Sequence, residues 1–187
     1  MRMLRLLISL LAFTLVLPAT ALAHSSHGVH EHGAADLRIA VDGPILLIQI
    51  ESPLDNLVGF EHRPRTDAER AALADMEEML AQFDRLFLLP EAATCTLRDR
   101  HLQSPWPQNV SEHSHDHKHD DKHDLGHSHA DITLTYELEC ANPQALTAVE
   151  VRWFEVFPRT ERIRAETATP RGQGSSTLRK GNPRLPL

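Results

Sequence analysis

The sequence predicts an α+β fold: an antiparallel sheet with one main helix and a disordered His-rich insert between two disulfide-linked strands. Three observations carry this expectation. Ile132, Leu134, Tyr136, Leu138 and Cys140 alternate with Thr133, Thr135, Glu137 and Glu139, the period of a half-buried strand. An apolar stripe at helical spacing follows Thr66. The two cysteines, Cys95 and Cys140, lie in strand-like stretches on either side of a polar, histidine-dense segment.

Residues 1–23 read as a cleavable export signal. Arg2 and Arg5 give a basic start, Leu6 to Leu17 an apolar run too short for a membrane span, and Ala21-Leu22-Ala23 a small-x-small cleavage pattern. No cysteine stands at the cleavage point, so no lipid anchor is expected. Residues 24–35 are small, polar and His-bearing, and read as a mobile N-terminal segment. Residues 36–187 then form one α+β domain with room for a real core.

Within that domain Leu37, Ile39 and Val41 alternate as a strand, and Asp42-Gly43 signals a turn. Ile45 to Ile50 is a continuous apolar run, which predicts a strand covered on both faces. Asn56 to Pro64 has no clear period and reads as a loop. Thr66 can N-cap a helix with Glu69 as its capping-box partner. Ala68, Ala72, Met76, Met79, Leu80, Phe83 and Phe87 mark the helix's apolar face, and Pro90 closes it. Pairing Cys95 opposite Cys140 puts Leu97 opposite Leu138. A bridge there closes a loop of about 45 residues, worth roughly 4 kcal/mol by chain entropy. Ala145 to Phe157 mixes periods, Ile163 and Ala165 suggest a strand, Gly172 to Ser176 a turn, and the tail is weakly patterned.

The chain is acidic, with a formal net charge of −7. The expected signal carries basic residues only, so the mature chain is more acidic still. Such a surface repels nucleic acid and anionic lipid and attracts cations. No nucleic-acid partner and no stable membrane insertion after signal cleavage are expected. In an exported protein an even cysteine pair reads as a disulfide, which removes both thiolates from the metal ligands.

Histidine is the main chemical signal. Seven of the 13 histidines, His113, His115, His117, His119, His123, His127 and His129, fall between Ser111 and Asp131, interspersed with Asp116, Asp120, Asp121, Asp124 and Asp131. Imidazole suits zinc, nickel, cobalt and copper(II), and carboxylates complete a shell or hold a ring N–H. Only Leu125 is a large apolar residue there, so the loop should order around metal alone. A solvated linker would favour Ser, Gly, Glu and Lys instead. A pH sensor is the other alternative, and protons would compete with metal in any case. Copper(I) is disfavoured because Met76 and Met79 belong to the helix face. Zn(II) stands first, with Ni(II), Co(II) or Cu(II) behind it.

A second cluster is His24, His27, His30 and His32. His30 and His32 lie just before the first strand and are candidate ligands held near the domain. His24 and His27 read as mobile scavengers. His62 sits beside Glu61. It is either a hydrogen-bonded loop histidine or a ligand meeting His30 or His32. His101 stays unassigned. Catalytic motifs are missing: His30-Glu31 is followed by His32-Gly33 and makes no H-E-x-x-H, and neither G-x-S-x-G nor a phosphate loop occurs. The chain is not expected to be an enzyme.

The chain resembles the ZrgA-type periplasmic zinc-uptake proteins. The resemblance rests on His30-x-His32-Gly33-Ala34-x-x-Leu37 through Asp42-Gly43, and on Ser52-Pro53 with Leu57-Val58-Gly59-Phe60-Glu61-His62. It continues through the Cys95 strand, the His/Asp-rich insert, Tyr136-x-x-x-Cys140 and Phe154-x-x-Phe157-Pro158. It spans most of residues 30–180, with Gly-Phe-Glu-His its most specific part. It implies zinc capture in the periplasm on behalf of an inner-membrane importer, of ABC type. A metal buffer without a transport partner is the alternative, and an enzyme with one fixed zinc the third hypothesis.

Overall fold

The computed structural model describes residues 31–106 and 130–187. The expected export signal, the N-terminal histidines up to His30 and most of the insert lie outside the described residues. Nine strands and four short or medium helices run in the order β1 (Ala34–Asp42), β2 (Ile45–Pro53), α1 (Leu54–Val58), α2 (Asp67–Leu80), α3 (Phe83–Leu86), β3 (Phe87–Leu88), β4 (Cys95–Gln103), β5 (Asp131–Cys140), β6 (Ala148–Val151), α4 (Trp153–Val156), β7 (Arg162–Thr169), β8 (Gly172–Arg179) and β9 (Arg184–Pro186). A six-stranded sheet has the order β4-β5-β2-β1-β7-β8, and a small sheet the order β3-β6-β9. Every pairing is antiparallel except β1 with β7.

The alternation read in β1 and β5 is the burial pattern observed. Leu37, Ile39, Ile132, Leu134, Tyr136 and Leu138 are buried, together with Leu46, Ile48 and Ile50 from β2. The expectation that β2 is covered on both faces is corrected: Leu47 is 39% exposed. It lies on the outer face with Arg38, Gln49, Glu51, Thr135 and Glu166, where Arg38 pairs with Glu51 and Glu166. The inner face is covered by α2, α3 and the small sheet. Tyr136 is the clasp: its hydroxyl donates to the Leu80 carbonyl, and Phe83 and Phe87 pack edge-on against its ring. Such aromatic pairs add about 0.5–1.5 kcal/mol beyond their area.

Thr66 caps α2 as expected. Its Oγ1 accepts from Glu69 N at 3.2 Å while Glu69 Oε2 accepts from Thr66 N at 3.0 Å. The backbone donors of Arg65 and Thr66 hold the Glu69 carboxyl below its ordinary pKa. The helix ends at Leu80, earlier than its apolar stripe suggested. Phe83 opens α3, and Phe87 pairs with Val151 as a strand. Ala68 is exposed and Leu73 takes a place on the buried face. The loop expected from Asn56 begins instead inside α1. The glycine-rich stretch read as a turn is β8, paired along its length with β7, and the turn falls at Pro170-Arg171.

Cys95 and Cys140 are bonded, and Cys95 faces Cys140 as Leu97 faces Leu138. β4 is an edge strand, and most of its residues are exposed. The bridge, closing a 45-residue separation, therefore holds a strand that burial alone holds weakly. Replacing both cysteines by alanine should cost about 2–4 kcal/mol of unfolding free energy. Urea melts of the two forms check this; equal midpoints would show that the pairing register suffices without the bond.

Candidate functional site

The site is built where the chain enters β1 and leaves α1. Ala34 N donates to Glu31 O at 3.1 Å, closing a turn whose third residue is Gly33. Gly33 has φ +77°, a left-handed conformation that a side chain strains, and a Cβ there would press on the Glu161 side chain at 3.3 Å. The turn is pinned from both sides. Gly33 O accepts from Glu161 N at 2.7 Å and Arg162 N at 3.0 Å. Its N–H donates to Asn56 Oδ1 at 2.7 Å, and Asn56 Nδ2 donates to Ala34 O at 2.8 Å and Ser52 Oγ at 3.2 Å. Asn56 and Ser52 are buried polar residues whose hydrogen bonds offset their desolvation.

This turn projects His32 outward. Asp55, next to Asn56 on α1, and Glu61, beyond the helix, converge on its ring. Gly59 ends α1 in the left-handed conformation, with φ +86°, and donates to Asp55 O at 3.0 Å. Phe60 then packs against the core, and Glu61 follows it. His32 Nε2 lies 3.1 Å from Glu61 Oε1, and Nδ1 lies 4.0 Å from Asp55 Oδ2. The ring is 59% exposed, while Asp55 and Glu61 are at 24% and 18%. The carboxylates are thus more sheltered from water than the imidazole they face.

Cations border the cluster. Arg159 Nη1 is 3.8 Å from Asp55 Oδ1. Glu31 pairs with Arg162 and, at 3.7 Å, with Arg164, and the Arg162 hydrogen bond holds its carboxyl below the ordinary range.

His62 is turned to other partners. Its ring stacks on Phe60 with centroids 5.2 Å apart, Nδ1 lies 3.0 Å from Arg63 O, and Nε2 lies 3.6 Å from Glu69 Oε1. His101 lies in β4 opposite Thr135. His30, His113, His115, His117, His119, His123, His127 and His129 fall outside the described residues. Ala130, where the described chain resumes, is buried, and its carbonyl accepts from Leu54 N at 2.8 Å, beside Asp55. Among the described residues, no group of three or more His, Cys, Asp or Glu is arranged to hold a metal ion. Met76 is buried and Met79 packs against the core, which is the role their spacing predicted.

The sequence does not single out Glu61 or Asp55 as neighbours of His32. Glu61 had one usable signal, its place in Gly-Phe-Glu-His. Asp55 had none, because a single aspartate in an acidic chain is unremarked until the fold brings it to His32.

Fold and site together describe a β-rich protein that presents an imidazole facing two carboxylates on an acidic chain. The model of the ZrgA family zinc uptake protein matches residues 29–187, and the chain belongs to that family. The resemblance read from the sequence is therefore the family found, and a zinc-related uptake role follows from it; this is not an enzyme family. Among curated proteins nothing matches the chain. Among the described residues no helix is long and apolar enough to cross a membrane.

Proposed function

We propose that this protein is exported to the periplasm, captures Zn(II) there and passes it to an inner-membrane importer of ABC type. Family membership supplies the metal and the uptake role. The observation that supports a folded capture site is the 3.1 Å separation of His32 Nε2 and Glu61 Oε1. Two ligands each ~2.0–2.1 Å from a tetrahedral zinc lie roughly 3.3 Å apart. The pair therefore stands close to the edge of a zinc tetrahedron. Asp55, 4.0 Å from Nδ1, adds a second negative charge beside the ring. His30, two residues before His32, is the third ligand in this reading, and His62, next to Glu61 in the chain, a fourth.

The insert histidines, His113, His115, His117, His119, His123, His127 and His129, serve as the antenna. The hydrogen bond from Leu54 to Ala130 brings the end of the insert to the residue next to Asp55, which supports delivery from loop to folded site. Nickel, cobalt and copper(II) are competitors for the same imidazoles.

Zinc titration of the intact protein against a competing chelator, repeated after deleting Glu112–His129 so that the buried Ala130 stays in place, tests this. One tight ion should survive the deletion while the weaker ones disappear. Loss of all binding would favour a buffer in which the insert alone holds metal.

A further inference from the structure

We propose that Arg159 is a tethered counter-cation that holds down the zinc affinity of the His32 site and so eases release; this rests on the zinc reading of His32 and Glu61 given above. Asp55 is shared. One carboxylate oxygen is 3.8 Å from Arg159 Nη1 and the other 4.0 Å from His32 Nδ1. The fold builds this sharing with some care. Arg159 sits in the turn after α4, where Thr160 N donates to Phe157 O at 3.0 Å. Thr160 is 3% exposed and its Oγ1 accepts from the indole N–H of the buried Trp153 at 3.2 Å. Glu161 then donates to Gly33 O. The residues that place Arg159 are thus bonded to the core on one side and to the His32 turn on the other.

The guanidinium also needs space, and Gly59 provides it. A Cβ on Gly59 would lie 3.0 Å from Arg159 Nη2 and 3.2 Å from Cζ. Gly59 thus has two separate reasons to be glycine, the left-handed helix end and the arginine lying against it. The packing places a positive charge beside a carboxylate that faces the zinc-binding imidazole.

The consequence is electrostatic. With metal absent, Arg159 neutralises part of the Asp55 charge and the cluster is at rest. With zinc on His32 Nε2, the same arginine repels the ion and offsets the Asp55 charge that would otherwise favour it. Affinity is thereby moderate, and the ion leaves faster than from an uncompensated site. Since Arg159 is 59% exposed, the effect is screened by salt.

The test uses the intact protein with ¹⁵N-labelled histidine rings. The His32 ring signals are identified by their loss in His32→Ala, and zinc is added against a competing chelator. Arg159→Gln should move the midpoint at His32 to about five- to tenfold lower free zinc. Capture of released zinc by excess chelator should be slower to match. Arg159→Lys keeps the charge and should stay near the wild type. In an Asp55→Asn background the Arg159→Gln effect should shrink, and near 1 M salt it should largely vanish. A structural role for Arg159 would not follow salt or be rescued by lysine. If zinc reaches His32 but Arg159→Gln leaves the midpoint unchanged or weakens binding, the counter-cation is overturned while the site stands. If zinc never perturbs the His32 ring of the wild type, the site itself is wrong and this inference goes with it.

Discussion

Replacing Asn56 by alanine should lower unfolding free energy by about 3 kcal/mol and weaken zinc binding at His32 by roughly tenfold. One side chain makes three buried hydrogen bonds, to Gly33 N at 2.7 Å, Ala34 O at 2.8 Å and Ser52 Oγ at 3.2 Å. Each is worth only about 1 kcal/mol net, but their loss strands buried backbone groups at ~1–3 kcal/mol apiece. Ser52 Oγ loses only an incoming donor and keeps its own hydrogen bond, because its hydroxyl already donates to Pro53 O at 3.2 Å. Gly33 N cannot turn to another acceptor, because the turn is fixed by Glu161 and Arg162 on its carbonyl. Asn56→Asp should be worse than alanine despite its matching shape. It removes the donor that Ala34 O needs and places a charge at a residue 1% exposed. Urea unfolding measures the first effect and chelator competition at His32 the second. A stability loss below about 1 kcal/mol would mean that water enters and replaces the side chain.

The same residue shows why the site was only half legible in sequence. The histidines announce themselves by density, and the start of β1 by alternation. What joins them is Asn56, which sits in a stretch without periodicity. Its importance arises from contacts 22 and 23 residues away in the chain. Glu61 meets His32 across 29 residues, a distance no spacing rule covers. Local signals fared better where the chemistry is local. The capping box at Thr66 and Glu69 and the facing cysteines each followed from neighbouring residues or from one strand period. Periodicity misled where tertiary pairing overrode it. Phe83 and Phe87 continue the stripe of α2, yet Phe87 is drawn into β3 by Val151. Gly172 to Ser176 has turn composition, yet the neighbouring strand β7 supplies a full ladder that holds it extended.

His32→Ala should reduce the tightest zinc affinity by at least about 100-fold, more than any other single histidine among the described residues. The argument is one of position. Among the described histidines only His32 faces two carboxylates, one at hydrogen-bond distance from Nε2 and one nearer the other nitrogen. His62 Nε2 faces the single carboxylate of Glu69, which is already engaged in capping α2, so His62→Ala should cost less. His101, on the edge strand β4, should cost least of the three. Glu61→Gln is the sharper probe. It keeps the size and a hydrogen bond to the ring but removes the charge that a cation needs, and should cost roughly 10- to 100-fold. Competition with a chelator at one zinc per chain reads the tightest site and separates it from the insert, whose many equivalent histidines tolerate single losses. If His32→Ala and Glu61→Gln both bind the first ion as the wild type does, the folded site is not where zinc first rests. Capture would then belong to the insert, and the cluster at the start of β1 would be a structural clasp between α1 and β7.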